Sequence, residues 1–271
     1  MNLDLERYKI SHPASFKIAD FDPDERSVEK SQKSNIKDLM KSLNDELEIL
    51  QEKLYAESKH KILIILQGMD ASGKDGTVRH VFEGVNPQGV DVVSFKSPSK
   101  LELAHDYLWR IHHNVPAVGQ IVIFNRSHYE DVLIARVKQL VPESVWQNRF
   151  DHINNFEKML VDEGVTILKF FLHISKEEQK IRLMERLDDE EKHWKFNPDD
   201  IKERSRWNDY MAAYQDMIQK TSTAWAPWTI IPANRKWIRN YIVAHHIVKF
   251  LKDLKIQLPM IDFPPETYQF E

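Results

Sequence analysis

A three-layer α/β/α fold around a five-stranded parallel sheet is the class this chain predicts, on three observations. Five short, largely apolar runs, at 62–66, 90–95, 121–124, 165–172 and 229–231, are each short enough for a buried strand. Stretches with helical spacing lie between them, and strand–helix alternation of this kind joins parallel strands by right-handed crossovers. The first run then enters a glycine-rich turn that opens a helix, at the carboxyl end of a strand, where ligands bind in such sheets.

Residues 1–26, with Pro13 and Pro23 and no sustained period, read as an extended or partly ordered arm. From about 27 to 58, Ile36, Met40, Leu43, Leu47, Leu50 and Leu54 recur at steps of four and three, one stripe of a helix. A helix packed on its own domain is favoured over a coiled-coil seam, because the stripe is shorter than about four heptads. Further helices are expected near 77–85, 101–113, 144–162, 175–187, 200–220 and 235–254. Three prolines argue against a helix in the tail 257–271. The expected organisation is an N-terminal arm and helix (1–58), a core (59–256) carrying a lid at about 188–206, and the tail.

The turn reads Gly68-Met69-Asp70-Ala71-Ser72-Gly73-Lys74-Asp75-Gly76. Its glycines permit the turn, its unpaired amides and the helix dipole favour an anion, and Lys74 adds a cation. The usual pattern places Ser or Thr after the lysine to hold Mg²⁺, and here Asp75 stands there. A bare carboxylate at Asp70 would repel a bound phosphate unless a divalent cation bridged the two, so Asp70 is the first expected metal ligand.

The run at 121–124 ends in Asn125 and Arg126, with Glu130 and Asp131 a turn later. Asn125 offers a neutral oxygen to a metal or its water, Arg126 a charge for a transferring phosphoryl group, and Glu130 a second acid for the metal. Asp131 reads equally well as an ordinary first-turn acid. Between 176 and 206, Arg182 and Arg186 stand four apart, followed by Lys192, Trp194 and Lys195. This basic segment is a lid candidate that would exclude water and bring arginines onto developing charge. The competing reading is a solvated helix whose arginines pair with Glu185, Asp188 and Asp189. Lys96 and Lys100 follow the second strand, on the same side of the sheet.

Composition narrows the class. The 271 residues carry a formal charge of −4, which argues against a general nucleic-acid coat while leaving room for a local anion channel. No apolar run approaches the roughly 20 residues a membrane helix needs, and the first ten residues lack a secretory apolar core. Cysteine is absent, which removes disulfides, thiolate metal sites and cysteine nucleophiles and is compatible with the cytoplasm. None of the twelve histidines is assigned to a metal.

Taken in order, GMDASGKDG, SFKSPSKLELAHDYLWRIHHNVP, IFNRSHYEDVL, FFLHISKEEQKIRL and TSTAWAPW resemble polyphosphate kinase family 2 over residues 45–250. The resemblance implies a phosphate-loop kinase fold with a helical lid. It also implies Mg²⁺, with Mn²⁺ as an alternative, and phosphoryl exchange between inorganic polyphosphate and nucleotides. Catalytic roles are implied for Asp70, Lys74, Arg126, Arg182 and Arg186. Polyphosphate would lie against Gly68, Ala71, Ser72, Gly73, Lys74, Asp75 and Gly76, with Lys96, Lys100 and Arg136 along a basic groove. Asn125, Glu130, Lys192 and Trp194 would position the acceptor, and Asp70, Asn125 and Glu130 the metal. Many members read FDRSWYNR where this chain has Asn125 in place of Asp and Glu130 in place of Asn. That variant resembles the subgroup using both nucleoside mono- and diphosphates. A homo-oligomer, dimer or tetramer, is expected, with no nucleic-acid or membrane partner. Two rivals are an ATP-dependent nucleotide or metabolite kinase, and a non-enzymatic interaction protein on a degenerate loop, docking through the 36–54 stripe.

Overall fold

The computed structural model describes residues 4–260. Its five strands are β1 (Lys61–Gln67), β2 (Val90–Ser94), β3 (Ile121–Asn125), β4 (Val165–His173) and β5 (Trp228–Pro232). All pair in parallel in the order β2-β3-β1-β4-β5. Each covers its expected apolar run to within a few residues; β1, β3, β4 and β5 are largely buried and therefore apolar, while the edge strand β2 is partly exposed. The register sets Leu66 beside both Asn125 and Phe170, and Ser94 beside Asn125, so the carboxyl ends of the central strands finish level. The chain passes from β1 to β2 and β3 on one side and then to β4 on the other, which opens a crevice at the end of β1.

Ten α-helices accompany the sheet among the described residues. They are α1 (Lys33–Glu57), α2 (Lys74–Val81), α3 (Lys100–Leu103), α4 (Trp109–His112) and α5 (Glu130–Val137), then α6 (Glu143–Asp162), α7 (Lys176–Asp188), α8 (Asp199–Ser205), α9 (Trp207–Thr221) and α10 (Lys236–Asp253). The stripe of α1 buries Ile36, Leu47 and Leu54 completely and packs along α10, so the helix serves its own core rather than a coiled-coil seam.

Three expectations need correction. The helix expected over 101–113 is two single turns, α3 started by a Ser99–Glu102 capping box and α4 separated from it by a loop. The helix expected over 200–220 breaks at Arg206, whose φ of −93° and ψ of 23° leave the helical region and divide α8 from α9. The sequence reading also passed over α5, an eight-residue helix too short for a clear period.

The arm is more ordered than its prolines suggest. Short 3-10 turns at Glu6–Tyr8, Pro13–Ser15 and Ile18–Asp20 bury Tyr8 and Phe16, and Lys9 makes an antiparallel bridge to Thr229 on the outer edge of β5. The arm thereby covers a strand edge that would otherwise present unpaired backbone. Helix α10 ends at Asp253 and 257–260 are not helical, while the rest of the expected tail, 261–271, lies outside the described residues. No helix among the described residues is long and apolar enough to cross a membrane.

Candidate active site

The loop after β1 is shaped by what a side chain cannot occupy. At Gly68 (φ +153°) a Cβ would come within 2.7 Å of the Leu172 carbonyl oxygen, and Gly73 (φ +101°) caps α2 in the left-handed region that glycine tolerates best. Ala71 also takes a positive φ of 62°. These turns send the loop carbonyls backward, where α7 holds them. Gln179 Nε2 donates to the Asp70 carbonyl (3.0 Å), and Arg182 Nη1 donates to those of Ala71 (2.9 Å) and Ser72 (3.1 Å). With the carbonyls engaged behind, the amides at the start of α2 are left to face an anion.

In front of the loop lies a cleft of about 610 Å³, lined by Asp70, Lys74, Asp75, Asn125 and Arg126 below and by Arg186, Lys192, Trp194 and Lys195 above. Lys74 is folded back onto its own loop, donating to the carbonyls of Gly68 (2.7 Å) and Met69 (3.2 Å). Burial, with Arg126 nearby, pushes its pKa down to about 8. Arg126, at φ 63°, turns off the end of β3 across the loop and pairs with Asp70 at 2.6 Å. Asn125 donates to Asp75 Oδ1 at 2.5 Å, tying the end of β3 to the first turn of α2. Gln67, at the end of β1, lies 3.1 Å from Glu130 Oε1 and also from Ser127, and burial raises the pKa of Glu130.

Of the residues expected in a lid, Arg186, Lys192, Trp194 and Lys195 border the cleft. Arg186, on the last turn of α7, donates to Asp200 Oδ2 (3.0 Å) and to the Lys195 carbonyl (3.1 Å), which latches the 3-10 segment Glu190–Lys195 and α8 over the cleft. Lys192 pairs with Asp189, and Trp194 is 79% exposed with Lys195 over its ring, so Trp194 is not core. Arg182 differs. It is 5% exposed and spends its donors on the loop, on Glu178 and on the carbonyls of Ala233 (2.6 Å) and Asn234 (2.8 Å). It braces the loop from behind, because α7 is still packed against the loop and the Ala233–Asn234 carbonyls at Arg182 and leaves the core by Arg186, one turn later on the same face.

Two lysines and one arginine divide similarly. Lys96 lines the cleft, whereas Lys100 begins α3 and does not. Arg136 lies elsewhere: it pairs with Asp216 at 2.6 Å and sits 4.6 Å from the Trp146 ring centre, beside a separate cavity bounded by the α5–α6 connection. Six residues along α5 from Glu130, it faces α9 rather than the groove, so its expected contact with polyphosphate is withdrawn.

A divalent cation fits only part of the expected set. No group of three or more His, Cys, Asp or Glu gathers among the described residues. Mg²⁺ does not need one, since it keeps several waters and takes one or two carboxylates plus substrate phosphates. Asp70 is partly exposed in the cleft and meets that requirement. Asn125 commits its amide nitrogen to Asp75, and Glu130 is turned toward Gln67. Sequence reasoning missed Gln67, Gln179 and Arg239. Gln67 and Arg239 carried one signal, a polar residue at the end of an apolar strand or among apolar helix positions, and Gln179, in the polar sequence of α7, carried none.

The family model described as Polyphosphate kinase 2 matches residues 29–259. The chain belongs to the polyphosphate kinase 2 family. It is 54% identical over 263 residues, 97% of each chain, to an AMP/ADP-polyphosphate phosphotransferase of Meiothermus ruber. It is 44% identical to an ADP-polyphosphate phosphotransferase of Rhodopseudomonas palustris, over 84% of this chain and 83% of that one. Among solved structures, polyphosphate kinase 2 from Arthrobacter aurescens TC1 superposes with a TM-score of 0.92 at 42% identity, covering 97% of this chain and 93% of that one. The loop, the strand-end arginine and the segment Glu190–Lys195 described above thus lie in a polyphosphate kinase 2 fold.

Proposed function

We propose that this enzyme transfers the terminal phosphoryl group of inorganic polyphosphate to AMP and ADP, reversibly and with Mg²⁺. The observation that carries the reading is the anion cradle itself. Loop amides, Lys74 and Arg126 border one cleft, and Asp70, the acid in the turn ahead of α2, pairs with Arg126. An open basic cleft suits a long polyanion, and the Meiothermus relative is named for both acceptors.

Phosphoryl transfer asks little covalent chemistry of a protein; it asks for in-line alignment and compensation of spread charge. The loop amides and Lys74 grip the donor phosphates, and Arg126 is placed to meet charge on the moving group. Closure of the segment latched by Arg186 excludes water, which would otherwise take the phosphoryl group. Lys192 and Trp194, at the mouth, are assigned to the acceptor nucleotide. Asp70 would hold Mg²⁺, which when bound would supply neutralisation of phosphate charge. Mn²⁺ has the same preference for oxygen ligands and could replace it. The same reading places the enzyme in the cytoplasm with its nucleotide substrates, as a homo-oligomer.

Incubating the protein with AMP, Mg²⁺ and polyphosphate, and no ATP, is expected to yield ADP and then ATP. Absence of both, with phosphorylation when ATP is supplied, would favour an ATP-dependent kinase. Asp75 already argues against that rival, because it is bound to Asn125 where ATP-using loops offer a hydroxyl to the metal. For the metal, Asp70→Asn is expected to raise the Mg²⁺ concentration giving half-maximal rate by about tenfold, roughly the loss of one charged ligand contact. An unchanged Mg²⁺ titration would remove Asp70 from that role.

A further inference from the structure

Arg239, on the first turns of α10, is 2% exposed and lies against the back of the phosphate loop. Its Nη1 donates to the Ser72 carbonyl (2.9 Å), while Nε and Nη2 donate to Asn240 Oδ1 (3.1 and 2.8 Å). All of these partners are neutral, and no carboxylate within ion-pair distance of Arg239 occurs among the described residues. Lys169 has Glu157 at 2.7 Å and Arg182 has Glu178 at 2.8 Å, whereas buried Lys74, held by the loop carbonyls of Gly68 and Met69, shares with Arg239 the lack of a carboxylate within ion-pair distance among the described residues. An ion taken out of water without a counter-charge is costly to the fold that contains it.

The hydrogen bond to Ser72 does not by itself account for this cost. Arg182 already donates to the same carbonyl at 3.1 Å, so the oxygen would remain satisfied without Arg239. What Arg239 alone contributes is a fixed positive charge beside the first turn of α2. A Cβ on Gly73 would fall 1.8 Å from its Nη1, and one on Gly76 3.2 Å from its Nη2. The guanidinium also forms part of the wall of both the cleft and the neighbouring cavity between α1, α2 and α10. Burial, with Arg182 alongside, pushes its pKa down to about 9, which leaves it charged at neutral pH.

We propose that Arg239 is a positioning residue for the donor: it supports the loop through Ser72 and supplies an unbalanced charge that polyphosphate neutralises, setting affinity for the polyanion rather than turnover. The proposal rests on the reading of the cleft as a polyphosphate site. It makes an unusual demand on stability. Removing the charge relieves the empty protein of an unpaired buried ion, while the bound state loses an attraction.

The test compares R239M and R239K with the parent enzyme at saturating AMP and Mg²⁺, and in thermal melts with and without polyphosphate. R239M is expected to raise KM for polyphosphate by roughly tenfold or more, as loss of one charge-assisted interaction gives, with kcat changed by less than about threefold. Its melting temperature without polyphosphate should be no lower than the parent's, and its gain on adding polyphosphate should be smaller. R239K keeps the charge and should fall between the two. A parental KM in R239M, an R239K as impaired as R239M, or an R239M that melts lower or fails to fold would each overturn the proposal. A parent enzyme inactive with polyphosphate and AMP would instead overturn the reading of the site, before any variant is compared.

Discussion

Lys74 shows how a single side chain carries both the local motif and its tertiary setting. The motif made it legible as a phosphate-binding cation, but its burial against Gly68 and Met69 was not, and that burial pushes its pKa to about 8 from an ordinary 10.5. Between these two values the unfolded chain binds more protons than the folded one, so this group makes the ligand-free protein more stable as pH rises through that window. Below about 8 the desolvation penalty on the charged ammonium is present in full. Activity is expected to run the other way, since in the proposed mechanism the cation grips phosphate. We expect kcat/KM for polyphosphate to fall on the alkaline side with an apparent pKa near 8. A bound polyanion favours the ammonium, so the limb in kcat should lie at higher pH. Initial rates measured between about pH 6 and 10 check this, and a flat kcat/KM across that range would sink it. Asp70 and Arg126 were legible for the same reason as Lys74, because the chemistry of a phosphate demands them close to the loop in sequence or at a strand end. Their pairing with each other at 2.6 Å was not, because it depends on Arg126 taking a left-handed backbone conformation after β3.

Helices α5 and α7 show where an element's periodicity runs out as a guide. Arg182 and Arg186 share a face by spacing, yet the first is buried against the loop and the second latches the lid, because α7 leaves the core within that single turn. Spacing gives the direction in which a side chain points, not what stands there. On α5, Arg136 faces α9 and makes its pair with Asp216 and its stacking on Trp146. Arg136→Ala is therefore expected to leave the rate with polyphosphate within about twofold of the parent while lowering stability by about 1 kcal/mol, the scale of one partly shielded ion pair with a cation–π contact. Paired urea denaturation and steady-state rates distinguish the outcomes. A large rise in KM for polyphosphate with stability unchanged would restore Arg136 to the groove. The division of 101–113 into α3 and α4 was likewise hidden, since single turns are decided by capping and by what packs on them.

Across the whole molecule, a buried ion pair joins elements far apart in sequence. Lys169 on β4 donates to Glu157 on α6 (2.7 Å), to the Tyr129 hydroxyl just before α5 (2.8 Å) and to the Thr221 carbonyl at the end of α9 (2.7 Å), and Trp228 on β5 reaches Thr221 Oγ1 (2.9 Å). This network fixes the turn that follows Arg126 to the centre of the sheet. Lys169→Met would leave Glu157 charged in the interior without its partner and is expected to cost about 3–5 kcal/mol, with the double variant Lys169→Met/Glu157→Leu regaining part of it. Chemical denaturation measures both, and a single variant as stable as the parent would show that the pair does not hold the fold. The sequence by itself determined the parallel sheet, the loop, and the lysine, aspartate and arginine proposed here for phosphate. Those features are written in short-range patterns, a strand's apolar run and a turn's glycines. Only the tertiary structure decided which cations face the cleft and which brace it: Arg186 against Arg182, Lys96 against Lys100, and Arg239, which comes from α10 to stand behind a loop 160-odd residues earlier. Burial and counter-charge depend on neighbours distant in sequence, and no local pattern records them.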